Sequence, residues 1–396
     1  MMQISPETQL FIREHSSDDV RVLALQAKKY PDIDMPTAIT QIAGRQVAAE
    51  KIPSWWEIEK IWYPKHLSLE QCSSEITARY KARLLQGDSL TDLTGGFGID
   101  CSFLATGFKS TTYVERQEEL CEIAAHNFPV LNLNHINIKN EDGVTYLQAM
   151  SPVDCLFLDP ARRNEHGGKT VAISDCEPNV AELEELLLQK ANRVMIKLSP
   201  MLDLSLALKE LKQTQEVHIL SVNNECKELL ILLGQTSPTE ISSHCVNLST
   251  KGTQEEQHFV FTREQEQCSE CTYTDSLETY LYEPNASLLK AGAFRSIAAA
   301  YPVRKLHPNS HLYTSDTFIE NFPGRIFRIV NQCSFNKKEV KENLADLKKA
   351  NVTVRNFPAT VAELRKRIHL AEGGDTYLFA STLNNGQKVL IRCEKV

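Results

Sequence analysis

Asp92-Leu-Thr-Gly-Gly-Phe-Gly98-Ile-Asp100 places a carboxylate at the end of a short apolar run, ahead of a glycine-rich turn. Gly96 and Gly98 carry no Cβ, so the main chain can turn sharply and approach a ligand. An amphipathic helix is expected from Ile99, and its first N–H groups suit a carboxylate. Asp92 in front of the glycines would repel a pyrophosphate and attract a cation. The α-amino and sulfonium groups of S-adenosylmethionine (SAM) meet that requirement. Gly96-x-Gly98-x-x-Cys101 approaches the dinucleotide fingerprint. Asp92, and Cys101 where a third small residue belongs, count against it.

Three more acids have positions that could do chemistry. Glu115 closes the next strand, 23 positions after Asp92, where a carboxylate can accept from both ribose hydroxyls. Asp142, in Asn140-Glu-Asp-Gly143, is placed to accept from an adenine amino group, or to cap the helix that follows. Asp159 opens Asp159-Pro160-Ala161-Arg162-Arg163 after the fourth strand, beside the transferable methyl. Against this stands a plain reading, in which Asp159 caps an element and the arginines pair with surface acids. Cys268-Ser-Glu-Cys271 has two-ligand zinc spacing, but only Cys245, His244 and His258 lie near enough in sequence to complete four ligands. No metal is therefore expected.

The elements that position these residues follow from periodicity. Residues 1–86 read as a helical domain, with Ser68-Leu-Glu-Gln71 as a capping box opening a helix to Leu85. Strands are expected at Leu90–Leu93, Thr111–Glu115, Ile136–Lys139, Asp154–Asp159, Arg193–Leu198, Val217–Val222 and Glu228–Leu233. Helices are expected near 99–106, 117–128, 143–149, 179–190 and 203–213. Such alternation means βαβ crossovers in a mainly parallel sheet, covered on both faces. Asn223–Lys227 is too short for a crossover, so the last two strands are antiparallel. The polar stretch 236–280 reads as a hairpin insertion or connector. Beyond it lies an α+β layer: strand 325–330, helix 336–350, strand 352–355, helix 361–370, and a hairpin across Asn384-Asn-Gly386. The expected domains are thus 1–86, 87–278 and 279–396.

At 396 residues with 42% hydrophobic and 24% charged residues, the chain is a soluble multidomain type with no bilayer-length apolar run. No secretory signal is visible. Eleven cysteines in no framework spacing fit reduced thiols, so the expected compartment is the cytoplasm. The net charge of −8 hides an asymmetry: residues 281–396 hold 18 Lys+Arg against 10 Asp+Glu. An acidic body with a basic module points to a nucleic-acid partner, or to plain solvated surface.

The chain resembles bacterial class I SAM-dependent methyltransferases that carry a C-terminal THUMP-like domain. The matching stretches are Gln41–Arg45, Lys51–Pro53, Ser74–Tyr80, Asp92–Asp100, Tyr113–Arg116, Leu158–Arg163, Asn223–Glu228, Glu283-Pro284, Lys290–Gly292, Phe322–Arg325 and Arg355–Pro358, which is coverage of nearly the full length. The resemblance implies an α/β, Rossmann-like sheet of seven strands with an antiparallel final pair. It implies SAM as cofactor, held by Asp92, Thr94, Gly96, Gly98, Glu115 and Asp142. Thr94-x-Gly96-x-Gly98-x-Asp100 with Glu115-Arg116 also looks like enzymes that methylate the guanine 2-amino group of ribosomal RNA.

Amino-methylating enzymes of this kind carry Asp/Asn-Pro-Pro-aromatic where this chain has Asp159-Pro160-Ala161-Arg162. The catalytic expectation is therefore Asp159, Pro160 and Arg162, with Arg162 in place of an aromatic stacking partner. Methylation at pyrimidine C5 needs a cysteine nucleophile. The corresponding turn reads Lys197-Leu-Ser-Pro200 and has none; Cys176 is the nearest thiol. Lys197 itself is expected either on substrate phosphate or solvated at its strand end. The implied function is methylation of a base nitrogen of rRNA or tRNA. The alternatives are a non-catalytic SAM- or RNA-binding protein, and a methyltransferase for a small molecule or protein.

Overall fold

The computed structural model describes residues 4–162, 172–236, 238–250 and 256–396. Two compact units emerge, Met1–Gln215 with Leu229–Pro238, and Glu216–Glu228 with Thr239–Val396. Among the described residues no helix is long and apolar enough to cross a membrane.

The first unit begins with helices α1 (Pro6–Glu14), α2 (Val20–Leu25), α3 (Met35–Lys51), α4 (Pro53–Trp56), α5 (His66–Gln71) and α6 (Glu75–Ala82). Here the structure corrects the sequence. Ser68–Gln71 does not open a helix; it is the end of α5, and the chain is extended at Cys72 before α6 starts after Ser74. Lys51 Nζ holds the carbonyls of Leu69 (2.8 Å) and Glu70 (2.6 Å), occupying acceptors at the end of α5. The break also turns Ser73 inward, which local pattern alone cannot encode.

Strands β1 (Ser89–Asp92), β2 (Ser110–Glu115), β3 (Ile136–Asn140), β4 (Val153–Leu158), β5 (Ala191–Leu198), β6 (Thr214–Val222) and β7 (Glu225–Gly234) fall where expected. So do α7 (Ile99–Ala105), α8 (Glu118–Val130), α9 (Gly143–Ala149), α10 (Val180–Lys190) and α11 (Leu204–Glu210). In the first unit β4, β1, β2 and β3 are successive parallel neighbours, and β5 pairs parallel with β4. β7 runs antiparallel to β5. The two central strands end with Asp92 beside Phe157, so the loops after β1 and β4 start side by side.

Phe97, inside the glycine turn, packs against Trp55 at 5.2 Å and Tyr63 at 6.2 Å, within a cluster that includes Ile52, Ile61 and Ala78. Burying one such aromatic contributes about 1.5–3 kcal/mol. The helical segment is thus a support for the turn, not an appendage.

In the second unit β8 (Ser242–Leu248) lies parallel to β6 and antiparallel to β9 (Glu256–Thr262), so the polar 236–280 stretch does contain a hairpin. A second sheet combines β10 (Tyr280–Pro284), β11 (Arg304–Lys305), β12 (Tyr313–Ser315), β13 (Gly324–Ser334), β14 (Lys349–Val354), β15 (Ala371–Thr382) and β16 (Lys388–Lys395) in the order β11-β12-β10-β13-β16-β15-β14. The helix expected over 336–350 stops at Leu344, because Lys349-Ala350 joins the edge strand beside Ala371-Glu372. Leu344 and Leu364 bury into one face of this sheet with Leu378 and Leu390.

Candidate active site

The turn after β1 is built by main-chain bonds and two left-handed glycines. Gly95 N–H donates to Val114 O (2.8 Å) and Gly98 N–H to Gly95 O (2.9 Å); φ is +56° at Gly96 and +85° at Gly98. Those values favour glycine over any residue with a Cβ. Gly95, which the sequence reading passed over, is just as constrained, since a Cβ there would overlap the Tyr113 ring.

Five of the expected residues are tied together through this turn. Asp92 Oδ1 accepts from Thr94 N–H (3.0 Å), and Thr94 Oγ1 accepts from Asp159 N–H (2.6 Å). Glu115 Oε2 accepts from Gly96 N–H (2.8 Å), and its Oε1 from Gln117 N–H (2.8 Å). Each Glu115 oxygen keeps a further lone pair for a hydroxyl donor. Asp142 caps α9: its Oδ1 accepts from the N–H groups of Val144 (3.1 Å) and Thr145 (2.9 Å). The Thr145 N–H, foremost, holds its carboxyl below the ordinary range. The capping expectation is met there, and the residue is exposed. Pro160 is buried; Arg162 pairs through its main chain with Cys176, and Arg163 lies outside the described residues. Cys176 is 2% exposed, as a structural thiol would be.

The chief finding is a buried ionic group that sequence reasoning missed. Lys197 is neither solvated nor displayed for a phosphate. Its Nζ lies 2.5 Å from Asp159 Oδ2, 3.1 Å from Asp100 Oδ2 and 3.1 Å from Ser73 Oγ. Lys81, fully buried, reaches Asp100 Oδ1 at 3.0 Å and Ser73 Oγ at 2.9 Å. Ser73 Oγ donates to Asp100 Oδ2 (2.7 Å). A sequence signal did exist. Thr77, Ala78 and Lys81 share the buried face of α6, and a lysine on such a face needs a partner.

These contacts set the charges. Burial works to raise the Asp100 pKa, but Lys197 and Lys81 overcome it and hold the carboxyl well below its usual range. Burial pushes Asp159 up, opposed by Lys197; its side chain is 37% exposed, so solvent tempers the rise. Asp92 is different. It is 1% exposed, its Oδ2 has no hydrogen-bond partner, and burial raises its pKa well above the ordinary value. The Thr94 N–H works against that rise, while Asp100 and Asp159 add repulsion. A buried acceptor without a partner costs about 1–3 kcal/mol, which a bound cation would recover.

Outside this group, Cys268 and Cys271 are not gathered with Cys245, His244 and His258. Cys268 is exposed, and Cys245, next to His244 on β8, is fully buried. Adjacent strand residues point to opposite faces.

Comparison with known proteins gives the geometry its context. A ferredoxin-like domain profile matches residues 280–323, and a THUMP domain-like profile matches 324–395. A proposed methyltransferase from Porphyromonas gingivalis W83 superposes over 100% of both chains, with TM-score 0.87 and 34% identity. An rRNA methylase from Streptococcus thermophilus (14% identity, 40% of this chain, 94% of that one) and a proposed Streptococcus mutans methyltransferase in complex with S-adenosylhomocysteine (13%, 40%, 96%) both give TM-scores of 0.30, which carry no argument. No curated protein matches the chain.

Fold and profiles together define an α/β protein of the class I methyltransferase fold with a C-terminal THUMP-like domain. Within that class, the chain belongs to the family of the Porphyromonas gingivalis methyltransferase-like protein.

Proposed function

We propose that the protein transfers a methyl group from SAM to a base nitrogen of RNA, most simply an exocyclic amine. The observation that carries the reading is the buried Asp92 carboxylate with its unpartnered Oδ2, one strand away from the Lys197-paired Asp159. When bound, SAM supplies an electrophilic methyl group on sulfur. Asp92 would meet its ammonium, Gly96 and Gly98 would leave space for the methionine moiety, Glu115 would accept from the ribose, and Asp142 would be left for adenine.

Asp159 is the acceptor for the amine hydrogens. An accepting carboxylate draws electron density onto the nitrogen and fixes its lone pair in line with the methyl carbon, which lowers the barrier by alignment and electrostatics. Lys197 is a positioning residue that opposes the rise burial gives the Asp159 pKa and so favours its ionised form. RNA as substrate is supported by the THUMP domain-like match and by the basic balance of residues 281–396. Lys337, Lys338 and Lys366 are exposed on that layer and suited to phosphate.

The test is transfer of labelled methyl from SAM to total RNA, with and without ribonuclease, using the wild type and Asp159→Ala. The reading expects ribonuclease-sensitive label in the wild type, none in the variant, and similar SAM affinity in both. Label that survives ribonuclease would move the substrate to a protein or small molecule. Calorimetry showing neither SAM nor its demethylated product bound would remove the reading altogether.

A further inference from the structure

Strands β6, β8 and β9 carry a row of metal-ligand side chains on one face, far in sequence from the residues discussed above. Ser242 is in register with Glu216, and His244 with His218, on parallel neighbours. His258 lies on β9 opposite Val246, one diagonal step from His244. Because the side-chain period of a strand is two, Glu216, His218, Ser242, His244 and His258 all project from the same face.

The side chains lie close enough to be drawn onto one ion by ring rotation. His218 Nε2 is 3.2 Å from Glu216 Oε2, and His244 Nδ1 is 3.2 Å from His258 Nε2. The His218 and His244 rings stack at 4.3 Å. One ligand atom from each of Glu216, His218 and His244 falls within 4.8 Å of the others. Ligand bonds of roughly 2.0–2.1 Å at a tetrahedral centre put neighbouring donor atoms about 3.3 Å apart. Ser242 Oγ sits 3.1 Å from His244 Nε2, so the second ring nitrogen has the outer partner that orients a metal-bound imidazole.

We propose that Glu216, His218 and His244 bind one divalent transition-metal ion, zinc or a metal of similar preference, with His258, 3.2 Å from His244 Nδ1, as the neighbouring donor that completes the sphere once the rings turn towards the ion. Three imidazoles and a carboxylate suit such an ion and are a poor set for calcium or magnesium, which take oxygen ligands. Access differs along the row. His218 is 3% exposed and anchors the site from within, whereas Glu216 is 32% exposed and marks its open side. The proposal is independent of the methyltransferase reading.

The test uses the full chain, stripped with a chelator and titrated with Zn2+ and with Co2+. One equivalent should bind, Co2+ should develop the visible absorption of a four-coordinate nitrogen and oxygen site, and Zn2+ should raise the melting temperature. His244→Gln, on a half-buried residue, and His258→Gln, on an exposed one, should each weaken binding about tenfold or more. Cys268→Ser with Cys271→Ser should leave it unchanged. The proposal is overturned if the wild type binds no equivalent, if both histidine variants bind like the wild type, or if Co2+ shows sulfur-to-metal charge transfer that disappears in the cysteine variant. Should one histidine variant fail to fold, the other variant and the wild-type absorption decide.

Discussion

The ammonium of Lys197 stands 2.5 Å from Asp159 and 3.1 Å from Asp100, so one cation bridges the loop after β4 and the helix after the glycine turn. The pairing holds the Asp159 carboxyl in place and opposes the rise that burial gives its pKa. Lys197→Met should therefore raise the Asp159 pKa further. Activity that needs an ionised Asp159 would then lose its acid limb at a higher pH, by about one unit or more. A pH–rate profile of methyl transfer measures it. An unshifted limb with reduced amplitude would mean that Lys197 serves structure alone. The variant should also lose about 3–5 kcal/mol of stability, since it strips one of two cations from Asp100.

Asp92 makes a separate prediction about ligand binding. Its pKa is raised in the free protein, and a cationic ligand favours the ionised form. SAM affinity should therefore rise with pH across the Asp92 titration, and binding should release a proton. Asp92→Asn should weaken SAM by about tenfold to a hundredfold, a loss of ~1.4–2.8 kcal/mol, and abolish the proton release. Calorimetry in two buffers of different ionisation enthalpy reads both effects.

Gly143 tests the packing of the third loop. A Cβ there would overlap the main-chain carbonyl of Leu93, which cannot swing aside as a side chain would. Gly143→Ala should cost about 1–3 kcal/mol by denaturant unfolding and disturb the turn next to Asp92. Gly373, with nothing within 4 Å of its Cβ direction but φ of +96°, should lose only the backbone term when changed to Ala, about 1 kcal/mol.

His311 supplies a pH dependence. It stacks on Phe294 at 3.6 Å, and burial, then Lys305 and Arg355, push its pKa down to about 4 from 6.5. The unfolded chain takes up this proton near pH 6.5 and the folded chain only near 4, so stability falls as the pH drops through that window. The contribution is about 1–3 kcal/mol. His311→Asn accepts the left-handed backbone there (φ +52°) and should flatten the melting-temperature curve between those pH values.

For RNA, reversing Lys337, Lys338 and Lys366 to Glu in the full chain should weaken binding and reduce its salt slope, by roughly one unit per lost phosphate contact. A slope that does not change would take these exposed lysines out of the interface.

The order of strands and helices through residue 234, the glycine turn and the acids at the strand ends were legible from the chain alone, because periodicity and turn chemistry are local properties. Asp92, Glu115 and Asp159 could be picked out for the same reason: each ends a strand, and strand ends in a parallel sheet share one edge. What only the tertiary structure decided was which charges meet. Lys81, Asp100 and Lys197 come from three separated elements and Ser73 from the link ahead of α6, and none announces its partner. The same holds for Glu216, His218, His244 and His258, scattered over three strands until register aligns them. Ser68–Gln71 shows the converse. A sound local start signal ends a helix here, because Lys51 takes its carbonyls and the buried lysines take Ser73. Electrostatic satisfaction of buried groups is a property of the folded whole, and it outweighs a capping preference of about 1 kcal/mol.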